Sequence, residues 1–310
     1  MSDAELTVPD LRELAESWAV SLRASGKSRE TIRVYLRNVG QFLTFCESVD
    51  LAPMSRRTMD AFLADLLDRG REGSTARGRL TAVKQFTKWL ASVNELDVDP
   101  FLGVAPPTMD TKLVHPLSDE QIRGLLATCR TPKGATRERQ FLDVRDEALI
   151  RLMVETGLRA GEVLALTVDD VHWTADPPFV EVHKSKARRG RRAPFSAQAA
   201  VAIGAYVRAR RRQSLASSPS FWLGARRNVL AYAGLYDALE RRALAAGIEG
   251  FHPHRMRHTA AHRWLAAGGS EGGLMSVAGW SRPDMLMRYT RARAEQRAAE
   301  EAARLNLGEL

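Results

Sequence analysis

Cysteine is scarce in this chain: Cys46 and Cys129 are the two present among 310 residues. Two thiols cannot build a disulfide framework or a cysteine-based zinc site. Both sit among apolar residues, so the reading is reduced core thiols in a cytoplasmic protein. Long hydrophobic runs are missing as well, and no apolar stretch approaches bilayer-spanning length. The opening residues MSDAELTVPD are acidic and lack the basic and apolar regions of a secretory signal. A glycine-rich phosphate loop and a carboxylate cluster are absent too. That leaves no sequence ground for a nucleotide cofactor or a two-metal centre, so neither cofactor nor metal is expected.

Positive charge, by contrast, is abundant. The net charge is +9 and the isoelectric point about 10.0. Hydrophobic content of 45% and charged content of 27% are ordinary for a globular protein. The length allows two domains. A basic balance favours polyanionic partners, nucleic acid first and an anionic membrane surface second. A membrane partner would need the cations on one amphipathic face, and here they are spread over both halves of the chain.

Residues 1–96 carry four apolar stripes at helical spacing. Leu11, Leu14, Ala15, Trp18, Ala19 and Leu22 form the first, closed by Gly26. Ile32, Tyr35, Leu36, Val39, Phe42, Leu43 and Cys46 form the second, with Ser28 as N-cap. Met59, Phe62, Leu63, Leu66 and Leu67 form the third, between Ser55 and Gly70. Leu80, Val83, Phe86, Trp89 and Leu90 form the fourth. The pattern predicts a small helical bundle. Lys27, Arg29, Arg33, Arg37, Arg77, Arg79, Lys84 and Lys88 mark its polar faces. Their gathering at helix starts, and before the fourth helix, suits phosphate contacts.

Residues 97–116 read as a linker, with four prolines and little periodicity. The capping-box pattern Ser118 to Gln121 then opens a second domain over residues 117–292. It is predicted to be mostly helical with one strand-like interruption. In residues 179–195, Val180 and Val182 alternate before a basic turn at Gly190, which predicts a β-hairpin. Further helices are expected near Ser196, near Leu230, at His254 and around Met275. A helical tail is expected from residue 293.

Four elements of this domain carry chemistry. In TGLRAGEVLAL, residues 156–166, Gly157 ends one helix and another begins by Glu162, leaving Arg159 at the corner between them. Its guanidinium fork suits two phosphate oxygens; an ion pair with Glu162 is the competing reading. On the hairpin, Lys184, Lys186, Arg188, Arg189, Arg191 and Arg192 crowd together, fit to hold phosphates. In HPHRMRHTAAHRWL, residues 252–265, Met256, Ala260, Ala261, Trp264 and Leu265 mark a buried helix face. His254, Arg257 and His258 stand at the helix start, where acids would be the favoured residues. Dipole, imidazole and guanidinium together make an anion site. His262, a turn further on, reads as a core histidine. In GWSRPDMLMRYTRAR, residues 279–293, Tyr289 lies among Arg288, Arg291 and Arg293, a phenol placed for a phosphate.

The order Arg159, Lys186, His254-x-x-Arg257, Trp280, Tyr289 resembles the catalytic set of the tyrosine recombinase (phage integrase) family. The resemblance covers the whole second domain, and the bundle resembles the family's core-binding, SAM-like domain. It implies a mainly α fold with a small β-hairpin in the catalytic domain. It also implies strand cleavage and rejoining of DNA through a 3′-phosphotyrosyl link to Tyr289. Arg159 and Arg257 would neutralise charge on the phosphate, and His254 would serve as acid or base. Trp280, where many members have histidine, would donate a hydrogen bond but shuttle no proton. Counting back from Pro194 makes Lys186 the general acid; counting forward from Val182 favours Lys184. Glu162 would orient Arg159 or a neighbouring histidine, and His258 would support the site. Arg33, Arg37, Arg77, Arg79 and Lys84 join the hairpin cations as DNA contacts.

The implied partner is double-stranded DNA carrying recombination sites, bound by a tetramer on two sites. Residues 293–310 would exchange between protomers, and accessory DNA-bending or directionality proteins would be involved. The alternatives are a type IB topoisomerase, which shares the residue set, and a DNA-binding regulator without chemistry.

Overall fold

The structure is a computed structural model that describes residues 6–49, 51–108, 115–183, 190–225 and 227–280. It divides into two compact units, Met1–Lys112 and Leu113–Leu310. Tyr289, Lys184, Lys186, Arg188, Arg189 and residues 293–310 lie outside the described residues.

The first unit is built from α1 (Val8–Ala24), α2 (Arg29–Glu47), α3 (Arg56–Asp68) and α4 (Gly73–Ser92). Each apolar stripe becomes a buried face. Leu11, Val39, Phe42, Met59, Val83, Phe86 and Leu90 are fully enclosed, each worth roughly 1.5–3 kcal/mol in area removed from water. Aromatic rings knit the helices together: Trp18 meets Phe86 at 5.2 Å and Phe42 meets Phe62 at 5.3 Å between centroids. Ser28 and Ser55 cap α2 and α3 by accepting from Thr31 N and Thr58 N, both at 3.1 Å. Thr7, with Asp10, caps α1 in the same way.

Three expectations need correction here. Leu67 is 44% exposed, because it stands one residue past Leu66 and so about 100° further round the helix. Helix α4 starts well before its apolar stripe, so Arg77 and Arg79 lie within it rather than ahead of it. Residues 97–104, read as linker, pack onto the bundle. Phe101 and Val104 join its core, Asp99 accepts from Thr87 Oγ1 at 2.7 Å, and Lys84 Nζ donates to Val104 O at 3.2 Å.

The second unit contains α5 (Asp119–Ala127), α6 (Arg137–Thr156), α7 (Ala160–Leu164), β1 (Val171–His172), β2 (Phe179–Val182), β3 (Arg191–Pro194), α8 (Ala197–Arg210), α9 (Tyr232–Ala245), α10 (Pro253–Ala266) and α11 (Glu271–Ala278). Ser118 and Gln121 form the expected capping box of α5. The strands make one antiparallel sheet in the order β1-β2-β3, with Val180 opposite Ala193 and Val182 opposite Arg191. The hairpin is the one read from the sequence. Strand β1 was not legible, since two residues cannot display alternation.

Helix α6 runs through the core and is held by buried charge as well as apolar contact. Arg242 of α9 donates to Asp143 Oδ1 at 2.6 Å and to Asp146 Oδ2 at 2.9 Å, and Arg145 closes on Asp146 Oδ1 at 2.6 Å. Arg242 also donates to Thr128 O, just after α5. This cluster fixes α6, whose C-terminal end carries the next element of interest.

Candidate active site

Helix α6 stops at Gly157, which sits in the left-handed region at φ 61°, where L side chains are strained. Space is short as well: a Cβ there would lie 3.2 Å from Ala260 Cβ. The glycine therefore serves both the turn and the close approach of α10. Two residues later Arg159 caps α7, with its side chain 46% exposed.

Glu162 anchors that corner. Its Oε2 accepts from Arg159 N at 2.9 Å and from Arg191 Nη2 at 2.8 Å. Its Oε1 accepts from Arg159 Nη1 and Arg191 Nη1, both at 3.1 Å. Four donors fill the four lone-pair positions of one carboxylate. Burial raises the Glu162 pKa, but the hydrogen bonds from Arg191 and Arg159 outweigh it and hold the acid below the usual carboxylate range. Of the two options read for Glu162, the arginine is the one observed. The competing ion-pair reading of Arg159 is also observed, and it leaves nearly half of the side chain exposed.

Arg191 and Arg192 were both expected on DNA, and the structure separates them. Neighbours on a strand face opposite sides. Arg192 is exposed, lies 4.5 Å over the Phe179 ring and pairs with Glu181 at 3.2 Å. Arg191 points inward with a side chain only 9% exposed, and its Nε donates to Val277 O at 2.8 Å. It is therefore an internal residue rather than a free phosphate contact. The register accounts for it: Arg191 pairs with Val182, which is buried, and directly opposed residues share a face.

Helix α10 opens as the sequence suggested, with no acid in its first turn and Pro253 in the first turn, where a missing N–H costs nothing. His254 is exposed and its ring meets His258 edge-on at 4.9 Å. His252, passed over in the sequence reading, is the N-cap, and its ring lies 6.5 Å from that of His254. Burial, then the charge of Arg255, lowers the His252 pKa. His262 is half-buried rather than fully enclosed. Trp264, read as core, is also half-buried and donates to Ser270 O at 2.9 Å.

Arg257 lies on the floor, 2% exposed. Its Nη1 donates to Gly157 O at 2.6 Å and its Nη2 to Ala278 O at 2.8 Å. The Trp280 ring sits 5.2 Å from the guanidinium and packs against Ala261, Leu265, Leu274 and Ala278. The structure thus gathers Arg159, Glu162, Arg191, Arg257 and Trp280 around the ends of α6 and α11. No helix among the described residues is long and apolar enough to cross a membrane.

The basic bundle residues divide similarly. Arg33 pairs with Glu30 at 2.7 Å, and Lys84 is engaged by Val104 O. Arg77 is exposed on α4. Arg37 and Arg79 line a groove of about 600 Å³ with Arg71, which the sequence reading missed. Burial, then the charges of Arg71 and Arg37, lowers the Arg79 pKa, as expected where cations crowd.

Comparison with known proteins agrees with these features. The Phage integrase family model matches residues 116–296, and the model of the phage integrase N-terminal SAM-like domain matches residues 14–94. Tyrosine recombinase XerC of Roseiflexus castenholzii is 32% identical over 250 residues, covering 78% of this chain and 76% of the relative. Tyrosine recombinase XerD of Corynebacterium glutamicum is 28% identical over 296 residues, covering 92% and 95%. Among solved structures, the Tn1549 transposon integrase in complex with transposon right end DNA superposes with a TM-score of 0.73 at 17% identity, covering 97% of this chain and 100% of that one. The site-specific recombinase XerH bound to its palindromic difH substrate gives 0.72 at 17%, covering 96% and 84%. With its boxes in order on a matching two-part fold, the chain belongs to the phage integrase family and is a tyrosine-type site-specific DNA recombinase.

Proposed function

We propose that Arg159 and Arg257 form the phosphate-binding heart of the reaction and that Tyr289 is its nucleophile. One observation carries this reading: Arg257 Nη1 bonds Gly157 O at 2.6 Å, which ties the two arginine boxes together. The tie holds Arg159, two residues from that carbonyl, at the mouth of the site while Arg257 supplies charge from its floor. Fixed donors in a low-dielectric floor need no reorganisation as charge develops on the phosphate.

The Tyr289 phenol oxygen attacks the scissile phosphorus. An O–P bond to tyrosine forms, the P–O5′ bond breaks, and the 5′-oxygen leaves with a proton from Lys186 or, in the other register, Lys184. The phenol proton passes to His254, which the exposed start of α10 presents. His258 supports that imidazole edge-on, and Trp280 donates a hydrogen bond without shuttling a proton. Attack by a second 5′-hydroxyl on the phosphotyrosine reverses the bond changes and joins the new strand, so the phosphodiester energy is conserved.

Arg37, Arg71 and Arg79 on the bundle, with Arg77 and the exposed Arg192, follow the DNA backbone. Lys184, Arg188 and Arg189, which lie between β2 and β3 along the chain, add further phosphate contacts. Residues 1–96 bind DNA, residues 117–292 perform the chemistry, and residues 293–310 reach a neighbouring protomer in a tetramer on two sites. A lambda integrase tetramer bound to a Holliday junction, with a TM-score of 0.69 to this chain, provides the precedent for that assembly. Accessory DNA-bending or directionality proteins would act on the assembled complex.

The test is to trap covalent DNA adducts of the protein in its host, sequence the DNA, and use that sequence as a nicked duplex. Wild type is expected to give an adduct on a denaturing gel, and Tyr289→Phe none, with DNA affinity nearly intact. An adduct surviving in Tyr289→Phe would move the nucleophile to another tyrosine. The same duplex on plasmids separates the rivals: relaxation without exchange products would mean a topoisomerase, and binding without any adduct a regulator.

A further inference from the structure

Arg191 occupies a position that neither a surface DNA contact nor simple packing explains. Its guanidinium is used on every edge. Two nitrogens grip Glu162 at 3.1 and 2.8 Å, and the third bonds Val277 O at 2.8 Å, at the end of α11. Its flat face lies against Gly279, where an added Cβ would come within 2.6 Å of Arg191 Cζ. Gly279 is left-handed at φ 65° and caps α11 immediately before Trp280. One side chain on β3 therefore touches the acid that holds Arg159 and also the turn that delivers Trp280 beside Arg257.

We propose that Arg191 is a positioning residue that shares the charge of Glu162, so that the cluster keeps a net positive charge and the fork of Arg159 stays available to the scissile phosphate. The proposal rests on the reading of Arg159 as a phosphate ligand. The reasoning is electrostatic. Two guanidinium groups around one carboxylate leave a net positive charge, and the exposed member is Arg159, 46% exposed against 9% for Arg191. Without Arg191, Glu162 would face Arg159 alone. The pair would be neutral, and the fork of Arg159 would be drawn to the carboxylate rather than to phosphate. Loss of the Val277 bond would also release the last turn of α11. The inward register of β3 makes the same residue a mechanical link between the hairpin base and that turn.

The experiment compares Arg191→Ala, Arg191→Lys, Glu162→Gln and the double variant Arg191→Ala/Glu162→Gln as full-length proteins. Adduct formation on the trapped nicked duplex is measured at saturating DNA, beside DNA affinity. Arg191→Ala is expected to slow adduct formation about a hundredfold, as small misplacements near a reacting centre do, with affinity changed by less than about threefold, since rim phosphate contacts dominate it. Removing the carboxylate charge is expected to restore part of the rate, so the double variant should outpace Arg191→Ala. A double variant as slow as the single one overturns the proposal. A loss of affinity that matches the loss of rate overturns it too, because Arg191 would then be a DNA contact.

If Arg191→Ala does not fold, Arg191→Lys carries the test. It keeps the cation beside Glu162 but loses the fork, and should cleave faster than Arg191→Met, which keeps the length without the charge, with affinity retained in both. Cleavage slowed equally in Arg191→Lys and Arg191→Met overturns the proposal. A measurement without DNA stands apart from the phosphate reading. Amide exchange of residues 277–280 should quicken in Arg191→Ala, and unchanged exchange removes the link to α11. If wild type forms no adduct but exchange quickens, the reading of the chemistry fails and the positioning contact stands.

Discussion

In the helical bundle the buried polar side chains among the described residues are Thr58 and Thr87, whereas the second unit buries Asp143, Arg145, Asp146, Arg210, Arg242 and Arg257. The bundle keeps its arginines outside, where they can track a polyanion, and fills its interior with apolar side chains. The second unit places charge inside and satisfies it. Arg210, for example, donates to four backbone carbonyls around residues 216–221. Isolated buried charge is costly, so these arginines persist because carbonyls and carboxylates meet them. Among the buried arginines, Arg257 lies at the candidate site, where the proposed chemistry uses a cation fixed in a low-dielectric floor, whereas Arg145, Arg210 and Arg242 hold the second unit's own helices and loops together.

The contrast can be tested by removing charge from each side. The largest effect is expected for Arg242→Leu, which removes the cation shared by Asp143 and Asp146, leaves them to Arg139 and Arg145, and should cost about 3 kcal/mol of stability in urea unfolding. A loss of under about 1 kcal/mol, within the range of surface changes, would show that the cluster does not hold α6 to α9.

Gly157→Ala comes next, at roughly 1–3 kcal/mol for a strained backbone, since φ is 61° and Ala260 stands 3.2 Å from the new Cβ. Adding Ala260→Gly should return the crowding part and leave the backbone part. If Gly157→Ala melts like wild type, the corner is less constrained than its geometry suggests.

A smaller effect is expected from Glu162 and pH. Its folded pKa lies below the ordinary value, so its stabilising contribution is present above that ordinary value, near 4.3, and is lost as pH falls through the lower folded value. The stability gap between wild type and Glu162→Gln should therefore be widest at neutral pH and close in acid. A gap independent of pH would mean the carboxylate charge contributes nothing to folding.

Smallest for the fold is Arg37→Ala on the bundle. Stability should stay within about 0.5 kcal/mol, while the salt dependence of DNA binding should lose about one unit of slope. An unchanged slope would take Arg37 off the DNA track.

The same contrast explains what could be read in advance. The bundle was legible because its inside is apolar and its outside polar, so hydrophobic period maps directly onto burial. Leu67 and the packed residues Phe101 and Val104 escaped because edge positions and short loop anchors have no period. In the second unit the boxes holding Arg159, His254, Arg257 and Trp280 were visible in order. Asp143, Asp146 and Arg145 were not, because charges on a helix read as a solvated face until a partner such as Arg242 is brought to them from another helix. Arg191 was misread for a related reason. Among neighbouring cations, composition treats it as one more surface arginine, and only the pairing with Val182 turns it inward.

The sequence by itself determined the existence of the four bundle helices, the caps Ser28 and Ser55, the hairpin strands, and the order of the boxes, because these depend on spacing along the chain. Tertiary structure alone decided that Arg257 reaches the carbonyl of Gly157, that Glu162 is shared by Arg159 and Arg191, and that Arg192 stays outside. Those outcomes depend on which segments meet and on strand register, and no local pattern of residues encodes the distance between two helices a hundred positions apart.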